Sequence, residues 1–65
     1  MHADDLRTWF RDLYPFLASD LNTERFVKLV TADVQAGVRV GMARISAVRT
    51  LADERWPRKG VQDGQ

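Results

Sequence analysis

The chain has 65 residues, no cysteine, one histidine and a net charge of +1, with 45% apolar and 29% charged side chains. That composition is globular and excludes disulfides, thiolate metal sites and a transmembrane run of about 18–20 apolar residues. At this length a single core supplies only about 3–5 kcal/mol, so self-association or a partner protein is the expected source of further stability.

The charge is unevenly placed. Residues 1–36 carry −2 and residues 37–65 carry +3, and arginine outnumbers lysine 8 to 2. The acidic start Met-His-Ala-Asp-Asp has no basic-then-apolar leader pattern. The expected location is the cytoplasm, or the inside of a host cell or virion. The arginine bias is read as genome composition.

Leu6, Trp9, Phe10, Leu13 and Leu17 repeat at the spacing of one helical face, and Asp4 and Asp5 suit a first turn. A short amphipathic helix is therefore predicted over about 4–14. Pro15 ends it, because proline lacks an N–H and moves Tyr14 out of the helical region. Phe16 and Leu17 are expected on a turn that folds back over the core.

Ser19-Asp20-Leu21-Asn22-Thr23 is a start signal. Asn22 is the predicted N-cap, Glu24 lies in the first turn, and Leu21 and Phe26 have hydrophobic-staple spacing. From there two apolar stripes run on: Val27, Thr31, Val34, Val38, Gly41, Ile45, Val48, Ala52 on one side, and Phe26, Leu29, Val30, Ala36, Val40, Ala43, Ala47, Leu51 on the other. Gly37 and Gly41 each cost about 1 kcal/mol inside a helix, so they signal either a break or a close helix approach. Preservation of both stripes across the glycines favours one long helix from about 23 to about 56, ending at Trp56-Pro57. Val38 to Met42 alternates like a strand, but no hairpin turn follows. The predicted fold is all-α: a short helix and proline-marked turn packed on a long two-faced helix, a hairpin completed by oligomerisation. Residues 1–56 form one domain and 57–65 a polar, disordered tail.

A helix with two apolar faces leaves one unpartnered, which marks an interaction site. The expected interface is Val34, Val38, Gly41, Ile45, Val48, Arg49, Ala52 and Trp56, with Arg49 and Trp56 as hot-spot types. The partner is a second copy of the chain, a larger protein, or both. The role is that of a small non-catalytic adaptor, regulator or inhibitor, of a kind that suits a phage or mobile-element accessory protein. No nucleophile–base set, phosphate loop or metal-ligand spacing is present, so neither an enzyme nor a cofactor or metal site is expected.

The alternative breaks the helix at Ala36-Gly37. Phe26 to Gln35 then forms the first helix, Ala36-Gly37-Val38 the turn, and Gly41 to Glu54 the recognition helix of a helix-turn-helix DNA-binding regulator. Arg39, Arg44, Arg49, Arg58 and Lys59 would be its DNA contacts. Against this, Asp33 replaces the usual alanine before the turn glycine. Steps of five also spread Arg39, Arg44 and Arg49 around the helix.

Overall fold

A computed structural model describes residues 2–57. Three helices account for them: α1 (Ala3–Leu13), α2 (Asp20–Gln35) and α3 (Val40–Arg55), with no strand among the described residues. The expected polar tail from Arg58 onward lies outside those residues.

α1 forms where the apolar spacing places it. Asp4 and Asp5 occupy its first turn and Arg11 its last, each the favourable sign for the helix dipole. Leu6 and Phe10, one turn apart, are buried. The helix stops at Tyr14, whose φ of −132° and ψ of 57° are not helical, as the following Pro15 requires. The turn after it buries Leu17 and leaves Phe16 in solvent. The expectation that both would cover the core holds for Leu17 alone.

α2 begins three residues earlier than the sequence suggests. Ser19, not Asn22, is the N-cap, and its Oγ accepts a hydrogen bond from the Asn22 backbone N–H at 3.1 Å. Asn22 instead uses its side-chain amide to donate to the Leu17 carbonyl at 3.0 Å, tying the turn to the helix. Leu21 is exposed and forms no staple against buried Phe26.

The single helix over 23–56 is not formed: the chain breaks at residues 36–39. Gly37 takes φ +97°, a left-handed conformation that glycine adopts without steric cost. The Gly37 N–H donates to Val34 O at 3.0 Å, and the Val38 N–H donates to Asp33 O at 2.9 Å. This is the Schellman closure, which satisfies carbonyls that a simple break would leave without partners. The turn folds one apolar stripe onto itself, so that Phe26 and Val30 of α2 and Ala43, Ala47 and Leu51 of α3 are buried together. Each large side chain so buried is worth about 1.5–3 kcal/mol, more than a continuous helix gains across four residues. The preserved register reflects the inward faces of two helices, not continuity.

The α2–α3 pair is an antiparallel hairpin. Arg25 and Glu54, far from the turn on their respective helices, form a bidentate ion pair with one contact at 2.8 Å. At 1.5 Å per residue the two arms leading to them are about 16 and 22 Å long. Helices diverging at about 90–120°, the helix-turn-helix range, could not bring those side chains together. α2 is central, packed by α1 on one side and α3 on another. Trp9 and Phe10 both stack on Phe26, with centroids at 5.7 and 4.5 Å and interplanar angles of 17° and 6°. Arg7 clamps α1 to α2 through Glu24, with two contacts of 2.8 and 3.0 Å.

A candidate docking groove

Because Pro15 ends α1 early, α1 does not cover the C-terminal half of α3. Between them lies an apolar groove of about 520 Å³. Residues Leu13 to Leu17 form one wall, and Val48, Ala52 and Trp56 form the other. The only polar side-chain atoms among these residues are the Tyr14 hydroxyl and the Trp56 indole N–H. Ile45 continues the α3 wall by one turn, since 45, 48, 52 and 56 fall on one helical stripe. Ile45 and Trp56 on this stripe are exposed, while Val48 and Ala52 also pack partly against the core.

Charge surrounds the apolar strip without entering it. Arg49 and Asp53 are exposed one turn apart on α3, and the Arg55 guanidinium lies 5.7 Å from the Trp56 ring centroid. The perturbed carboxylates are elsewhere. Glu24 is held below its ordinary range by the hydrogen bond from Arg7, and Glu54 by the one from Arg25. No group of three or more His, Cys, Asp or Glu among the described residues could hold a metal ion. The groove can exclude water from apolar side chains and present a rim of opposite charges; its lining carries no acid–base pair.

The predicted interface is divided by the fold. Val48, Ala52 and Trp56 line the groove, and Ile45 and Arg49 are exposed further back along α3. Val34 packs partly buried against the core on α2. Val38 sits in the turn, and Gly41 is at the start of α3 with open space where a Cβ would stand. Close helix approach is therefore not the reason for Gly41 within this chain. The second wall, Leu13 to Leu17, is absent from the sequence-based set. Its only signal was Phe16 beside Leu17 after a proline, a pair too short to show which of the two points inward.

The arginines proposed for DNA do not gather. Arg39 is exposed at the α3 N-cap and Arg49 is exposed beyond it. Arg44 is committed to the fold: its guanidinium covers the Trp9 ring at 4.7 Å, and its Nε is buried. Arg58 and Lys59 lie outside the described residues. No helix among the described residues is long and apolar enough to cross a membrane. Comparisons with protein-family models, with curated proteins and with solved structures find no match, so this groove is interpreted from its own geometry.

Proposed function

We propose that the protein is a non-catalytic helical interaction module that acts as an adaptor, regulator or inhibitor by docking on protein through the groove between the Leu13–Leu17 turn and α3. The observation that carries this reading is the open apolar channel itself. Phe16, Trp56, Leu13 and Ile45 border or line it while exposed, and contiguous apolar surface of this kind characterises interaction sites. A groove with one helical wall and an apolar lining suits helix-in-groove recognition, in which apolar anchors enter and polar residues stay at the rim.

The test is site-specific photocrosslinking in the producing cell, with the reactive group at position 16 and, as control, at Lys28 on the exposed side of α2. Protein adducts from position 16 alone, lost on Ile45→Lys, are the expected result. Equal adducts from both positions, or none from position 16, would refute it.

A second reading, DNA binding, is favoured by one observation: the break at residues 36–39 falls where a helix-turn-helix needs its turn. The antiparallel α2–α3 hairpin and the engagement of Arg44 with Trp9 weigh against it. Anisotropy titrations of duplex DNA at two salt concentrations decide the matter. Phosphate-driven affinity falls steeply with salt, and we expect only weak binding that vanishes near physiological salt. Tight, sequence-selective binding lost in an Arg39→Ala, Arg49→Ala variant would favour DNA.

A further inference from the structure

We propose that the occupant of the groove is a second copy of this chain, docked about a two-fold axis with the two α3 helices antiparallel. The inference rests on the docking reading above and names its partner. Three features of the groove and its α3 wall carry it.

The first is area. Leu13 is 56% exposed, Phe16 88%, Ile45 58% and Trp56 55%. A whole aromatic side chain presents about 150–250 Å², so the two aromatics leave about 300 Å² in solvent. The two aliphatic residues, just over half exposed, add about 60 Å² each on the scale that equates area with transfer energy. About 400 Å² of apolar surface per copy is the size of the largest patch on a typical monomer, which is often functional. Two copies together remove about 800 Å² of apolar surface, the scale of a weak, reversible interface.

The second is size matching. In a two-fold pairing, residue i meets j and j meets i. The antiparallel register that sets Ile45 against Trp56 of the second copy also brings Val48 opposite Ala52 of the second copy. A large residue meets a large one and a medium one meets a small one, twice over.

The third is sign. Arg49 and Asp53 lie on the same side of the apolar stripe by the 100° advance per residue. A two-fold axis perpendicular to the helices keeps that side along one edge of the interface. The same register therefore places Arg49 beside Asp53 of the second copy, and the symmetric contact repeats it. Asp53 retains its contacts within its own chain, since a carboxylate accepts several hydrogen bonds. Size and charge that match themselves to within about one residue in a single register fit a second copy.

The test is sedimentation equilibrium of the full chain over about 1 to 300 µM, a range bracketing weak dimers. We expect a monomer–dimer equilibrium with a dissociation constant of tens of micromolar. Ile45→Lys should weaken it at least tenfold with helix content unchanged, because residue 45 faces solvent in the monomer. Arg49→Asp should weaken it several-fold, and the double reversal Arg49→Asp, Asp53→Arg should restore it. A chain that stays monomeric throughout, a dimer indifferent to Ile45→Lys, or a double reversal as weak as the single change would overturn the proposal. The crosslinking experiment separates the two levels. Position-16 adducts exclusively to a different protein overturn the second copy and leave docking standing; adducts of twice the chain mass support both; no adduct sinks both.

Discussion

Replacing Gly37 with alanine tests the break between α2 and α3 directly. At φ +97° an L-residue sets its Cβ against its own backbone, although no neighbouring group lies within 4 Å of the added carbon. The left-handed conformation costs an L-residue about 1–2 kcal/mol, and +97° is beyond the narrow well that non-glycine residues occupy, so the upper part of that range applies. For a domain of this size each kcal/mol moves Tm by about 4–8 °C, giving a drop of about 6–15 °C. Gly41→Ala is the internal control. That residue is helical in α3, has open space around its α-carbon, and should gain about 0.5 kcal/mol from reduced freedom of the unfolded chain. Thermal and urea unfolding followed by far-UV circular dichroism should move the two variants in opposite directions. Equal stabilisation by both would mean that residue 37 is right-handed helix, that residues 23–56 form one rod, and that the hairpin described above is wrong.

Thr23 is fully buried in α2 and its hydroxyl has no hydrogen-bond partner, so Thr23→Val should stabilise by about 1 kcal/mol in urea unfolding; destabilisation would reveal a partner for the hydroxyl. Ala47→Leu forces bulk into the α2–α3 contact and should cost about 1–3 kcal/mol, with no cost if the two helices part easily. Glu24 and Glu54 are held below their ordinary range when folded. Their contribution is therefore present above the unfolded carboxylate pKa of about 4.3 and lost as pH falls through the folded values. Tm should fall on acidification from pH 6 towards pH 2, and a Glu24→Gln, Glu54→Gln variant should start lower and fall less; identical profiles would show that the two pairs contribute nothing.

The elements with local punctuation were legible in the sequence, and the element whose ending depends on tertiary contact was not. Proline fixes backbone geometry at its own residue and the one before it, so the end of α1 followed from Pro15 alone. Gly37 gives no such instruction. Glycine permits the left-handed turn without requiring it, and the decision is made by the energy of closing Phe26 and Val30 onto Ala43, Ala47 and Leu51. Both a rod and a hairpin predict the same two stripes along the sequence, because each half must carry an inward face either way. The pattern that favoured a continuous helix was thus equally compatible with its folding in two. Small residues held the missing information: Ala43 and Ala47 on a stripe that otherwise buries Phe and Leu allow close approach of a neighbouring helix, and α2 is that neighbour.

Only one wall of the groove could be read in advance. Ile45, Val48, Ala52 and Trp56 share a face through helical period alone, so their grouping needed only the existence of a helix there. The opposing wall needed the path of the chain after Pro15. Within that turn Leu17 is buried and Phe16 faces outward, and no periodicity separates adjacent residues outside a regular element. The burial of Leu17 is set by Asn22, whose amide holds the Leu17 carbonyl, and that contact follows from Ser19 having taken the cap position. An exposed Phe16 is therefore a consequence of how α2 is capped. Removing the cap with Ser19→Ala should loosen the wall of the groove as well as the helix, and weaken association more than a change of equal stability elsewhere in α2. If association tracks stability alone, the coupling between cap and groove is absent.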